Sequence, residues 1–357
     1  MRVFFDIQHL YYVPQYLPVK NALEKQQVEC VFILYKQEYL NDVLKSYVER
    51  NNLKHTWVSN EGEANAIYQA EKPFWIIFGN ARDNLDKIHL HSKTALMQHG
   101  IGPKACYYDV SKSAIMYRFV EGPYRLKRLQ QLFPEKKFID TGFAKLDPII
   151  NSENDKIDLA ALSLDSKRKT ILYAPTFFPS SIECLPKNFP ELFKEYNIIV
   201  KPHFFSLIKP KYKSQEKMLK SWDNYKNVYI CDVGEISILP FMEHASLLIS
   251  DASSTLFEFT ALNKPAIWCD FYKLKWSYRG ILKFRLKRRL DNDLKYFGKV
   301  ATKVINVKEL IQQVNIHINK PQTKEADRLE VAEYLTGKID GKCSERIAKF
   351  IASGAQE

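Results

Sequence analysis

The sequence predicts an α/β protein built from two doubly wound domains, and three observations lead there. Short apolar runs alternate with segments of helical period in both halves of the 357-residue chain. Alternation of this kind builds parallel sheets from βαβ units. A polar stretch rich in Ser, Asn and Asp, residues 151–169, separates the two halves. Finally, several apolar runs end in loops of glycine, proline, histidine and hydroxyl residues, the composition expected at the carboxyl ends of strands where ligands bind.

The elements follow in order. In the first half the runs at Arg2–Ile7, Val28–Leu34, Lys54–Val58, Phe74–Phe78, Thr94–Met97 and Lys136–Ile139 read as strands. Helical spacing appears between them at Pro18–Gln27, Leu40–Asn51 and Glu63–Ala70. In the second half strands are expected at Thr170–Tyr173, Asn197–Val200, Asn227–Ile230, Ser246–Ile249 and Ala266–Trp268, with helices at Glu235–Glu243 and Thr255–Leu262. A terminal helix runs from Asp340, its expected cap, to Ile351. This divides the chain into domains 1–155 and 156–357, the second including the terminal helix.

Composition narrows the class. Apolar residues make up 46%, as in a globular protein, and the formal net charge of +12 points to polyanionic partners. The six cysteines are scattered with no CxxC pair, which suits a reducing compartment and suggests neither a zinc nor a redox motif. Asp6 interrupts the apolar run Val3-Phe4-Phe5, so no secretory leader is expected there. No apolar stretch has the length needed to span a bilayer, so membrane contact is expected to be peripheral.

The strand-end loops carry the chemistry. After Ser246–Ile249 comes Ser250-Asp251-Ala252-Ser253-Ser254-Thr255, then the helical pattern of Leu256, Phe257 and Phe259. Hydroxyls beside a helix N-terminus suit phosphate; an ordinary capped helix fits the same letters. Gln98-His99-Gly100-Ile101-Gly102-Pro103-Lys104 turns sharply after Thr94–Met97 and places His99 at a strand end. An imidazole there can take a proton from a hydroxyl nucleophile, with Lys104 available to phosphate; a loop histidine bonded to backbone is the alternative. Lys201-Pro202-His203 repeats the pairing of cation and imidazole in the second half. Thr176, in Tyr173-Ala174-Pro175-Thr176-Phe177, offers another hydroxyl, and Asp147 either borders the site or holds a loop. His89-Leu90-His91 lacks an adjacent carboxylate and makes a poor metal site. The stretch from Arg279 to Leu290 mixes six cations with Ile281, Leu282, Phe284, Leu286 and Leu290, a composition suited to an interfacial helix on anionic lipid. Lys209, Lys211, Lys213, Lys217 and Lys220 read as a solvated face.

From about His99 to the C-terminus the chain resembles the CDP-glycerol glycerophosphotransferase family of teichoic-acid-type polymer synthesis. The matching pieces are His99-Gly100 with Lys104, Thr141-Gly142 through Asp147, Tyr173-Ala174-Pro175-Thr176, Lys201-Pro202-His203, Ser250 to Ser254, and Asp340-Gly341-Lys342 with Ser344-Glu345-Arg346-Ile347. The resemblance implies the GT-B architecture, two Rossmann-like domains facing a central cleft. It places His99 and His203 at the family's important histidines and Ser253 and Ser254 at its phosphate-binding turn. The chain departs from the family at three points. Ile101 stands where the family commonly has threonine, Ala252 where it usually has an aromatic, and the segment after Gly280 is basic where acidic residues are expected. The first strand and its loop, Arg2 to His9, are more similar to other GT-B sugar-nucleotide enzymes.

The expectation is therefore a cytoplasmic transferase, peripheral to the inner face of the membrane. It would move a glycerol-phosphate unit from a CDP-activated donor to a hydroxyl of a glycan or lipid-linked acceptor. His99 and His203 would be catalytic, with Lys104, Thr176, Lys201, Ser253, Ser254 and Thr255 on the donor phosphates. Neither cofactor, metal nor nucleic acid is expected to take part. A GT-B glycosyltransferase using a nucleotide-sugar, and a non-enzymatic polyanion-binding protein, are the alternatives.

Overall fold

A computed structural model describes residues 1–102, 104–274 and 292–354. The chain divides into two compact units: Met1–His99 with Cys106–Glu153 and Glu333–Glu357, and Gly100–Ala105 with Asn154–Ala332.

The first unit is built on a seven-stranded parallel sheet of β1 (Arg2–Ile7), β2 (Glu29–Tyr35), β3 (His55–Val58), β4 (Trp75–Phe78), β5 (Lys93–Met97), β6 (Tyr117–Val120) and β7 (Lys137–Asp140). Its order is β3-β2-β1-β4-β5-β6-β7, with every pairing parallel. Helices such as Val13–Glu24 and Glu61–Glu71 intervene between strands. A sheet covered on both faces wants apolar residues on both, which is why β4 reads Trp-Ile-Ile-Phe without alternation and is buried throughout. The order reverses between β1 and β4, so a crevice is expected at their carboxyl ends.

The second unit holds a six-stranded parallel sheet of β8 (Thr170–Ala174), β9 (Asn197–Val200), β10 (Val228–Ile230), β11 (Leu247–Ser250), β12 (Ala266–Cys269) and β13 (Thr302–Val304), in the order β10-β9-β8-β11-β12-β13. Its reversal falls between β8 and β11. The core on this sheet packs Tyr173, Phe189 and Trp222 at tilted angles, with Phe189 lying 5.1 Å from Trp222 and 5.7 Å from Tyr173.

Two strands escape the sequence pattern. β13 is three residues long, and β6 carries a buried arginine in its middle. Arg118 is tolerated there because both terminal nitrogens of its guanidinium find acceptors locally, although Nε has no partner. Nη1 donates to the Tyr107 carbonyl (2.7 Å) and Ser111 Oγ (2.6 Å), and Nη2 donates to Gln98 Oε1 (3.1 Å). Burial pushes its pKa down to about 10.

Residues 333–357, assigned to the second domain on the sequence, group with the first unit. The helix Cys343–Ala352 buries Ile347, Ala348 and Ile351, and Phe350 packs on Tyr117 (5.5 Å) and Phe119 (5.7 Å). Trp75 Nε1 donates to the Ile351 carbonyl at 3.1 Å. The helix is also not capped by Asp340. Asp340 instead pairs through both carboxylate oxygens with Arg346 Nη1, and the cap comes from 196 residues upstream: Asp147 accepts from Cys343 N (3.2 Å), Ser344 N (2.6 Å) and Ser344 Oγ (2.6 Å). Of the two roles open to Asp147, the structural one is realised. A carboxylate can cap at any sequence distance provided it meets the unpaired N–H groups of the first turn.

Among the described residues no helix is long and apolar enough to cross a membrane. The basic stretch Arg279–Leu290, with its membrane reading, lies outside the described residues.

Candidate functional site

The second unit gathers seven of the eight candidates: Lys104, Thr176, Lys201, His203, Ser253, Ser254 and Thr255. Each follows the carboxyl end of a strand or lies in the Gly100–Ala105 loop. The organiser is a residue the sequence reading left without a role. Asp251, the first residue after β11, is fully buried, and its carboxylate accepts from Thr176 N (3.2 Å), from Ser181 N (3.2 Å to either oxygen) and from Ser181 Oγ. Ser181 Oγ is in turn 2.8 Å from the Tyr173 hydroxyl, and Ser250 Oγ donates to the Ala174 carbonyl (2.6 Å). These bonds tie the loop after β8 to the end of β11, across the point where strand order reverses. Burial raises the Asp251 pKa to about 7, and the surrounding donors offset part of the rise.

That tethered loop carries Phe177, whose ring holds two candidates. His203 packs on it with centroids 4.6 Å apart, and Lys104 Nζ lies 6.0 Å from its centroid, within cation–π range. The His203 ring has a defined tautomer. Its Nδ1 accepts the Phe205 backbone N–H at 3.2 Å, so the proton of the neutral ring sits on Nε2. In this tautomer Nε2 carries the N–H, the form suited to donating to a phosphoryl oxygen rather than to taking a proton. Lys201 is fixed at the end of β9, its N–H bonded to the Tyr173 carbonyl at 2.8 Å.

The serine turn has its own geometry. The helix begins at Thr255 as the sequence predicts, but spans only Thr255–Thr260. Ser253 Oγ lies 3.1 Å from Thr255 Oγ1 and accepts the Thr255 N–H at 3.3 Å, and the cap position Ser254 makes no side-chain capping bond. Glu258 in the first turn is buried, so part of the small dipole of so short a helix is already offset. Gly102 approaches this turn closely. A Cβ added to it would stand 3.1 Å from Ser254 N and 3.2 Å from its Cα, tight enough that the turn's backbone would have to give by a few tenths of an ångström.

His99 belongs to the first unit. It follows β5 beside the β1–β4 reversal, and it sits among aromatic rings: Tyr11 at 4.3 Å, Tyr12 at 5.2 Å and Tyr107 at 5.9 Å between centroids. His9 stacks on Tyr11 at 5.0 Å. Burial raises the Tyr11 pKa to about 12, so the phenol is neutral at ordinary pH. The pair Tyr11-Tyr12, four residues past the end of the first strand, is the signal in the sequence that could have pointed to this cluster, one that the sequence reading left unused. Nearby, Asp6 is buried, accepts from the Tyr35 (2.9 Å) and Tyr68 (2.8 Å) hydroxyls, and has a pKa raised to about 6 by burial. His89, the first half of the poor metal pair, bonds Thr94 Oγ1 at 3.0 Å.

A sequence model of the family described as CDP-glycerol:poly(glycerophosphate) glycerophosphotransferase matches residues 14–353. The chain belongs to this family. The teichoic acid glycerol-phosphate primase of Bacillus subtilis (strain 168) is 30% identical over 155 residues, which cover 42% of this chain and 37% of that protein. The primase of Bacillus spizizenii is 30% identical over 141 residues, 38% of this chain and 34% of the relative. The matched region thus spans little more than a third of either primase. Among solved structures, the wall teichoic acid polymerase TagF superposes with a TM-score of 0.68 at 16% identity, covering 99% of this chain and 89% of that one. A histidine-to-asparagine variant of that polymerase soaked with CDPG gives 0.67 at 15%, covering 99% and 88%. A putative UDP-N-acetylglucosamine 2-epimerase from Listeria monocytogenes gives 0.65 at 13%, covering 99% and 96%. At such identities these likenesses establish the fold, which is GT-B.

Proposed function

We propose that this protein transfers a glycerol-phosphate unit from CDP-glycerol to a hydroxyl of a glycan or lipid-linked acceptor and releases CMP. Family membership across residues 14–353 supports the reaction class. The observation that carries the assignment of roles is the donor-type His203, held on Phe177 in a loop that the buried Asp251 carboxylate fixes.

In this mechanism His99 accepts the proton of the acceptor hydroxyl. The freed oxygen attacks the distal phosphorus of the donor, the bond from that phosphorus to the bridging oxygen breaks, and CMP departs with the electron pair. The new product is a phosphodiester, and the proton passes from the imidazole to solvent. Little covalent work falls to the protein, so the rate depends on position and on charge placed at phosphoryl oxygens. His203 Nε2–H, Lys104 and Lys201 supply that charge and those donors. Thr176, Ser253, Ser254 and Thr255 add neutral hydrogen bonds. Lys104 and Lys201 matter more than the serine turn alone, because a six-residue helix with a buried glutamate in its first turn concentrates little positive potential. The basic stretch from Arg279 to Leu290 would hold the enzyme at the anionic inner face of the membrane.

A donor screen that follows free nucleotide tests the reading. CMP release from CDP-glycerol, dependent on acceptor, is expected. Release of UDP or GDP from nucleotide-sugars, with CDP-glycerol inert, would replace it with glycosyl transfer. His99→Ala should lower turnover by about two to four orders of magnitude, the usual contribution of a positioned base, and a loss below about tenfold removes His99 from that role.

A further inference from the structure

We propose that Tyr12, Tyr11 and Gly79 form a positioning rack for the His99 imidazole, so that the ring's plane is set by aromatic packing. The proposal rests on the reading of His99 as the base. It names residues to which that reading gives no part.

The geometry is specific. The Tyr12 ring is buried and lies 27° from parallel to His99 at 5.2 Å, an offset stack. Tyr11 meets the same imidazole edge-on, 61° between planes at 4.3 Å, and Tyr107 meets it at 65° and 5.9 Å. One stacked and two edgewise neighbours leave a ring little freedom to rotate, and each such pair has a preferred angle that opposes rotation. A phenol hydrogen bond links Tyr11 to Tyr12, so the stacked and the edgewise neighbour are tied to each other.

Gly79 is the feature that turns a crowd of rings into a built arrangement. It follows β4 directly, beside the reversal of strand order. A Cβ placed on it would stand within 2.9 Å of three atoms of the Tyr12 ring. A buried aromatic ring cannot flex away as a long side chain can, so the absence of a side chain at position 79 is what admits Tyr12 to its place. Arg118 fixes the base of the arrangement. Its single guanidinium holds both Gln98, the residue before His99, and the carbonyl of Tyr107, the third ring. Backbone and ring partners of His99 are therefore anchored to the same buried cation.

A base whose ring turns or shifts by about 1 Å loses on the order of a hundredfold in rate. The test measures steady-state kinetics with CDP-glycerol on Tyr12→Leu, Tyr11→Leu and Gly79→Ala, each also made in a His99→Ala background. Far-UV circular dichroism and thermal unfolding select the folded variants, and Tyr11→Leu, at a half-buried ring, serves if the buried site does not tolerate change. The expected result is a fall in kcat of roughly ten- to a hundredfold with donor KM changed less than about threefold. Tyr12→Phe, which keeps the ring, should retain at least about tenfold more kcat than Tyr12→Leu. In the His99→Ala background the same substitutions should cost almost nothing further, because the group they position is gone.

Three outcomes overturn the rack. The first is folded Leu variants that keep kcat within about twofold of the parent. The second is a Tyr12→Phe loss as large as that of Tyr12→Leu, which would make the hydroxyl the active part. The third is an equal loss with and without His99. Failure of the base reading looks different: His99→Ala itself would then cost little. In that case the ring-current shifts of the His99 carbon-bound protons, compared between parent and Tyr12→Leu, still report whether the stack exists.

Discussion

Replacing Asp251 by alanine should loosen the donor half of the site, and the size of the effect follows from its bonds. Three buried donors lose their acceptor: Thr176 N, Ser181 N and Ser181 Oγ. A stranded buried donor costs about 1–3 kcal/mol, so the three together cost about 3–9 kcal/mol. Against this stands relief. A carboxyl whose pKa is about 7 where an unperturbed one is 3.8 is held ionised at alkaline pH against a burial cost of about 4 kcal/mol. The middle of the range leaves a net loss of about 2 kcal/mol above pH 7, or a fall in Tm of about 4–8 °C. The sign with pH is fixed by linkage. Because the folded pKa lies above the unfolded value, the native state holds the extra proton between the two. The stabilisation from this group is complete below the unfolded value and is lost as pH rises through about 7. The Tm gap between parent and Asp251→Ala should therefore widen as pH falls from 8 toward 5, by at most about 1.4 kcal/mol per pH unit. Scanning calorimetry across that range, with nucleotide affinity by titration calorimetry, checks both consequences. CDP-glycerol binding should weaken, since Thr176 and Phe177 lose their tether. A gap that narrows toward acid, or a folded variant with unchanged stability and nucleotide affinity, would refute the reasoning.

Asp147→Ala should destabilise the terminal helix by about 2 kcal/mol, since three buried donors at its N-terminus lose their acceptor while the loss of a carboxyl whose pKa burial raises offsets part of that cost, and hydrogen exchange of the Ser344 and Ile347 amides should speed up first. Gly337→Ala should cost about 2 kcal/mol or more: its φ is +80°, and an added Cβ would meet the Gly142 Cα at 2.5 Å, so thermal unfolding within about 3 °C of the parent would contradict the packing. Ser253→Ala combined with Ser254→Ala should reduce nucleotide affinity or turnover while acceptor binding persists; calorimetry and kinetics both unchanged would take the serine turn out of the donor site. Replacing Lys287, Arg288 and Arg289 by Gln should weaken partition onto anionic liposomes about a hundredfold at low salt while activity on a soluble acceptor survives, and flotation assays on parent and variant decide it.

The architecture was legible because parallel strands covered on both faces leave an unambiguous trace, continuous apolar runs such as Trp75–Phe78 with helical period between them. Where that trace was broken by a buried arginine, in Tyr117–Val120, or by an exposed lysine at the centre of three residues, in Thr302–Val304, the strand does not show in the sequence, whereas the equally short Val228–Ile230, with no charged residue, does. The strand-end loops were legible for the same reason. Glycine, proline, histidine and hydroxyl residues stand out against apolar runs, and they drew attention to His99, Lys201, His203 and the Ser253 turn.

By itself, then, the sequence determined the fold class, the two-part organisation and the loops in which chemistry should be sought. Each of these depends on local periodicity and on residues within about ten positions of one another. Tertiary structure alone decided what each polar residue is bonded to. It made Asp251 the tether of a loop 70 residues away in sequence, gave the terminal helix Asp147 as its cap and assigned that helix to the first unit. It also set the tautomer of His203 and stacked Tyr12 on His99 over a glycine that leaves the space open. A buried donor or carboxylate must find a partner, but only the folded chain determines which one is within reach.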